Sequence, residues 1–249
     1  MYPGSAPLVV WLGIPAIAAA LALLFVLANR RAAQRAGIEV QHRTRAAASI
    51  MLSWCAVWGA LAGAGVLAQF DRRPPPLALF MATVIGGAIA FGASRFAAPL
   101  AHALPLASLI GFQAFRLPLE LVMHEAANAG VMPSLLSFSG WNFDIVTGTL
   151  ALPVAALVAA GRAPRWLVPA WNALGISALC VIAGIAIATA PFVEAFGPQQ
   201  VNRWVAYLPF VYLPGVMVAA AIVGHVLVIR RLRHEARAAQ LAAPSTSRS

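Results

Sequence analysis

An all-α, polytopic membrane helix bundle of about seven transmembrane helices, N-terminus outside and C-terminus cytoplasmic, is the fold class that three observations predict. Of the 249 residues, 61% are hydrophobic and 10% are charged, against about 25% charged in ordinary soluble domains, and mean hydropathy is +0.83. Seven stretches reach the roughly twenty apolar residues that a ~30 Å hydrocarbon core requires. The arginines fall almost wholly on one side of those stretches, as the positive-inside rule demands of cytoplasmic loops.

The spans are placed near 8–28, 46–69, 76–94, 105–127, 142–161, 166–191 and 208–229. The first resembles a signal peptide only in its hydrophobicity. No positive charge precedes it, and Arg30 and Arg31 follow, so it is expected to stay attached as an N-out anchor. Asn29 to Arg45 reads as the first cytoplasmic loop. Gly59 and Gly63 form a GxxxG pair in the second span, and Gly86, Gly87 and Gly92 populate the third, small residues that allow close helix packing. Asp71 to Pro76 is an external turn whose three prolines stop one helix before the next begins. Pro118 interrupts the fourth span. It withdraws a backbone donor from the carbonyl near Ala114 and predicts a kink.

The fifth span opens with Trp141-Asn142-Phe143-Asp144, Gly161 and Pro164 separate it from the sixth, and Pro209 and Pro214 lie near the start of the seventh. Beyond Arg230 the last helix is expected to continue to about Gln240. Residues 1–240 then form a single transmembrane domain, and 241–249, with Pro244, Ser245, Thr246 and Ser247, a disordered cytoplasmic tail. Trp11, Trp141, Trp166 and Trp204 fall near span ends, as aromatic belts do. Cys55 and Cys180 lie inside spans, too few for a disulfide framework, and read as small packing residues.

A formal charge of +10 first suggests nucleic acid. The seventeen basic residues are all arginines, however, and they sit in particular loops. With the N-terminus outside, Arg72, Arg73 and Arg203 are external, Arg116 lies within the membrane, and the other thirteen are cytoplasmic. That distribution argues against nucleic-acid binding and points the basic clusters at anionic lipid headgroups. The absence of lysine excludes a retinal Schiff base.

Inside the fourth span, Gln113, Arg116, Glu120 and His124 are spaced three, four and four apart, which places them within roughly 80° on one face of a helix. A charge in the membrane interior costs about 2.5–3.5 kcal/mol on insertion scales, so such a stripe must be shielded from lipid. The assigned topology puts Glu120, His124, Asn142 and Asp144 in an external layer. Gln113, Asn172 and His225 fall in an inner layer, with Arg116 between, so that polar groups thread most of the bilayer. Each also has a structural reading. Arg116 and Glu120, four apart, form a neutralising pair. Asn142 caps the fifth helix and Asp144 is a first-turn acid. Asn172 and His225 act as interhelical hydrogen-bonders.

The segments Gln113-Ala114-Phe115-Arg116-Leu117-Pro118-Leu119-Glu120, with His124 one turn on, and Gly140-Trp141-Asn142-Phe143-Asp144-Ile145-Val146-Thr147-Gly148 resemble those of a group of bacterial multi-span membrane proteins of about seven helices with no assigned activity. The likeness covers most of the chain from the third span onward, including His225. It implies a similar helical architecture and a bacterial inner-membrane location, and it brings no catalytic or binding residues with it.

Three functional classes remain. In the first, protons or a small solute move along the thread: Glu120, His124 and Asp144 exchange protons, Arg116 binds an anionic group or tunes the carboxylate, and Gln113, Asn172 and His225 continue the path inward. In the second, the chain is a non-catalytic sensory, assembly or accessory subunit whose buried charges fix helix register. In the third, it is an intramembrane enzyme, with Glu120, His124, Asp144 and His225 as acid-base groups or metal ligands. The sequence has no HExxH, no GxSxG and no Cys/His pair, and the opposite depths of His124 and His225 argue against a shared metal ion or haem. No cofactor is specified, and the partners expected are the lipid bilayer and a small solute or protons.

Overall fold

The computed structural model describes residues 6–242. Of the expected tail, 241–249, the first two residues end the last helix and residues 243–249 lie outside the described ones. Among the described residues the chain is helical, with no strand. Helix α1 (Leu8–Ala36) ends at Gly37, whose φ of 67° is left-handed and whose N–H donates to the carbonyl of Ala33; glycine is the residue suited to this stop. Helix α2 (Val40–Gly63) starts directly after Glu39, whose carboxylate accepts from the N–H groups of Gln41 (3.0 Å) and His42 (2.8 Å). The stretch Asn29–Arg45 is therefore mostly helix, and the connection shrinks to three residues. Its alanines, arginines and glutamines are strong helix formers, so the basic stretch extends two helices beyond the membrane instead of forming a loop.

Helix α3 (Pro76–Ala93) follows the proline turn, with proline at its first position, where the missing N–H removes no helical bond. After α4 (Ala98–Ala103), the fourth span is broken: α5 (Leu106–Gly111), a 3₁₀ segment over Phe112–Phe115, then α6 (Arg116–Asn128). The tighter segment comes just before Pro118, which offers no N–H to the carbonyl of Ala114. Helices α7 (Asp144–Ala159) and α8 (Leu167–Ala188) complete the middle of the bundle. A π-helical turn over Leu213–Val218 leads into α9 (Ala219–Ala242).

Among the described residues six helical stretches, the broken Leu106–Asn128 included, are long and apolar enough to cross a membrane; α7, at 16 residues, is shorter. At 1.5 Å per residue it covers ~24 Å. The segment 129–143 folds back into the end of the bundle, burying Val131, Met132, Leu136 and Ser137, and the segment 189–212 does the same with Thr189, Asn202, Trp204, Ala206 and Phe210. Irregular backbone within a membrane protein is tolerated where protein covers it. Trp204 is consequently a core residue, 3% exposed and packed on the Phe210 ring at 4.8 Å, and the expected belt position there is corrected. Trp141 and Trp166, at 54% and 67% exposed, do face outward.

Leu12, Leu52, Leu152 and Ile187 lie exposed on the outer surface of the bundle, the reverse of a soluble protein and suited to acyl chains. Inside are two apolar clusters. One gathers Ile14, Phe80, Leu119, Met123, Trp204 and Phe210. The other gathers Leu100, Ile110, Ala151, Trp171 and Leu227. At the arginine-rich end several guanidinium groups serve the fold. Arg43, buried, donates to Asn29 Oδ1 (3.0 Å) and to the carbonyl of Phe96, and lies over the Phe96 ring. Arg230 donates to the carbonyls of Gly92 (2.6 Å) and Ser94 (2.7 Å) at the end of α3, which otherwise lack helical partners.

Candidate functional site

The polar side chains of the broken fourth span meet those of α7, α8 and α9 where the two apolar clusters adjoin. Gln113, Arg116, Glu120, Asn142, Asp144, Asn172 and His225 are all buried, and His124 is half-buried. Arg116, the first residue of α6, is fully enclosed, and its Nη1 donates to Asp144 Oδ1 at 2.6 Å. The neutralising partner of Arg116 is thus Asp144 rather than Glu120. The cause is helix approach: a Cβ built on Gly148 would lie 2.8 Å from Arg116 Cβ, so α7 comes against α6 closely enough to bring Asp144, one turn earlier, under the guanidinium. Arg116 Nε and Nη2 have no protein partner.

Glu120 is held from the other direction. Asn142 Nδ2 lies 2.9 Å from each of its carboxylate oxygens and 3.0 Å from the carbonyl of Leu136. The Oδ1 of the same asparagine accepts from the N–H of Asp144 at 3.0 Å. Asn142 therefore does what a helix cap does, since it satisfies a free donor at the start of α7, and it also ties the Glu120 carboxylate to the backbone of Asp144. At the outer edge, His124 Nδ1 lies 3.2 Å from Ser137 Oγ, and its ring stacks on Phe138 with centroids 4.4 Å apart. These bonds connect Glu120, Asn142 and Asp144, while the ring of His124 is held by Ser137 and Phe138.

A second group lies toward the arginine-rich end. His225 Nδ1 is 2.8 Å from Asn172 Oδ1; with the amide oxygen accepting, Nδ1 carries the proton and Nε2 is the free acceptor. His225 Nε2 has no protein partner. Gln113 Nε2 donates to the carbonyl of Ala221 at 3.1 Å, one turn before His225, while its Oε1 is unpartnered. Gln113, Asn172 and His225 thus occupy one level. Between the groups sits Thr147, fully buried, whose Oγ1 is unpartnered and whose carbonyl accepts from Trp171 Nε1 at 3.2 Å. A Cβ on Gly175 would collide with the His225 ring and lie 2.8 Å from Thr147 Cγ2, so the threonine and the histidine close over the same glycine of α8.

Thr147 and Ser137 did not stand out in the sequence, where hydroxyl residues are ordinary in membrane helices and loops. The signal available was position: Thr147 follows Asp144 by three residues and shares its face. Among the described residues no three His, Cys, Asp or Glu side chains converge as metal ligands would. Compared with family models, with curated proteins and with solved structures, the chain matches none.

Proposed function

We propose that the chain is a seven-span protein of a bacterial inner membrane, one transmembrane domain with α7 as its short fifth span, N-terminus outside and C-terminus cytoplasmic, and that its buried network relays protons. The orientation is supported by the arginine distribution. The relay is supported by one observation above all. Five buried atoms on neighbouring elements, Gln113 Oε1, Arg116 Nε and Nη2, Thr147 Oγ1 and His225 Nε2, have no protein partner. Each such atom left dry costs about 1–3 kcal/mol, and a purely structural cluster of this size would be expected to pair them. Bound water satisfies such groups and supplies the carriers between fixed side chains. In this reading His124, half-buried beside Ser137, is the outer entry, and Glu120 is the exchanging carboxyl. Asp144 is the fixed counter-charge of Arg116, and His225, oriented by Asn172, takes the proton at Nε2.

The test is proton flux into liposomes carrying an internal pH dye under an imposed potential. Wild-type protein is expected to dissipate the gradient faster than protein-free vesicles, and Glu120→Gln to fall to the protein-free rate while keeping wild-type thermal stability. Flux of Glu120→Gln equal to wild type, or no flux by either, would overturn the relay. The sensory, assembly or accessory reading is favoured by a different observation, the Arg116–Asp144 bond that fastens α6 to α7, and predicts no flux from any variant.

A further inference from the structure

A cavity of about 920 Å³ lies beside the polar network, at the arginine-rich half of the bundle, with Gly224 as a shared wall. Its walls are apolar and come from most of the helices, with Phe25 of α1, Met51 and Trp54 of α2, Phe91 of α3 and Leu227 of α9 among them. Trp54 Nε1, the polar atom of the largest wall residue, is already engaged by the carbonyl of Gly215 at 2.6 Å. Leu24 and Ile50 line the cavity and are 47% and 42% exposed. Pro105 and Ser108, also in the lining, are exposed too, so the cavity is open at the apolar outer surface of the bundle. From Arg31 down to Leu21, both of which line it, is ten residues of helix, ~15 Å, about half the ~30 Å hydrocarbon core.

The two charged residues in the lining are Arg31 and Arg35, one turn apart on α1. Both are exposed, and among the described residues neither pairs with a carboxylate. Of the acidic residues at this end, Glu39 caps α2 and Glu235 pairs with Arg231. Arg35 Nη1 donates weakly to the carbonyl of Ala103 at 3.4 Å, and Arg31 has no recorded hydrogen-bond partner among the described residues. The geometry points to a binding site for an anionic phospholipid of the adjacent leaflet, its phosphate between Arg31 and Arg35 and an acyl chain in the cavity. Arginine forks match phosphate oxygens. The depth is that of one leaflet, and the lateral opening admits a ligand from the bilayer rather than from water. A volume near the top of the ~300–1,000 Å³ range of ligand sites accommodates a long chain. The inference stands independently of proton movement, because neither Arg31 nor Arg35 belongs to the network and none of the network's polar side chains lines the cavity.

The experiment uses the full chain in neutral detergent, with lipid retention by native mass spectrometry and melting temperature as readouts. Phosphatidylglycerol, phosphatidylcholine of the same chains and glycerol phosphate alone are added in turn. Phosphatidylglycerol is expected to be retained at least about tenfold better than phosphatidylcholine, a difference of ~1.4 kcal/mol, and glycerol phosphate to produce no shift. Arg31→Gln with Arg35→Gln removes that preference, whereas Arg233→Gln with Arg237→Gln, the same charge change on the exposed end of α9, retains it. Filling the cavity by Ala220→Leu, or from the opposite wall by Ser108→Phe at an exposed position, weakens retention of both lipids. Preference kept by the Arg31/Arg35 variant, a shift by glycerol phosphate equal to that of the lipid, or undiminished retention in a filled variant that melts normally without lipid would each overturn the site.

Discussion

Removing the Asp144 carboxylate tests the central contact of the network. The Arg116 guanidinium is fully enclosed, one nitrogen bonded to Asp144 and two without protein partners. Asp144→Ala leaves a buried cation with no carboxylate in contact, because Asp144 is its one ion-pair partner among the described residues. Breaking a buried ion pair from one side costs about 3–5 kcal/mol, which at ~1.4 kcal/mol per decade lowers the folded-to-unfolded ratio by roughly two to three and a half orders of magnitude. Arg116→Leu with Asp144→Val removes charge and partner together and is expected to lie within about 2 kcal/mol of wild type, since apolar replacement of a buried pair is often neutral. A thermodynamic cycle on this pair should therefore show a coupling above ~1 kcal/mol, and the corresponding Arg116–Glu120 cycle should be close to additive. Equilibrium unfolding in mixed micelles, followed by tryptophan fluorescence, measures both. A cost below about 1 kcal/mol for Asp144→Ala, or a double variant equal to the sum of its singles, would refute the reasoning.

Glycine substitutions give opposite results at two sites. Gly175→Ala drives a methyl into the His225 ring and should lower stability by about 1–3 kcal/mol, while Gly86→Ala, with nothing within 4 Å, should be neutral or gain up to ~1 kcal/mol from helix propensity; thermal melts compare them. At the arginine-rich end the rings of His102 and His234 lie 4.5 Å apart, and burial, then His234, Arg230 and Arg231, hold the His102 pKa below its ordinary 6.5. A histidine with a lowered folded pKa contributes stability above the unfolded value and loses it as pH falls below. Hydrogen exchange in α9 beyond Arg230, corrected for intrinsic rate, should thus accelerate as pH drops through about 6.5, and His102→Gln should abolish that pH dependence. An unchanged profile would show that the ring pair does not fasten α9.

Six of the seven expected spans were legible because length and composition are local properties, and the stripe at Gln113, Arg116, Glu120 and His124 because its spacing is helical. Pro118 announced the break in the fourth span, although the 3₁₀ segment lies just before it. What the sequence could not show was which partner each polar group takes. Arg116 and Glu120 are four apart, and a sequence argument pairs them. The bond to Asp144 follows from the approach of α7, which depends on Gly148 meeting α6 at one particular height. The infolded segments 129–143 and 189–212 were illegible for a similar reason. Their mixture of proline, serine and aromatic residues reads as ordinary connection, and only tertiary packing distinguishes a covered Trp204 from an interfacial one.

The glycines of the network carry the argument one step further. Gly148 faces Arg116 Cβ, Gly175 faces the ring of His225, and Gly224 faces the amide of Gln113, so each of α7, α8 and α9 removes its own side chain where a polar residue from a neighbour must fit. The backbone, more than mutual hydrogen bonding, sets where these side chains sit. That explains how atoms such as His225 Nε2 and Gln113 Oε1 stay unpartnered without turning toward one another, because rotation is blocked by the surface that seats them. A site held from outside in this way is preorganised for a guest that completes its bonds. It follows that Gly175→Ala, which changes no titratable group, should impair proton flux alongside stability if the relay exists, through displacement of the one histidine whose free nitrogen the path requires.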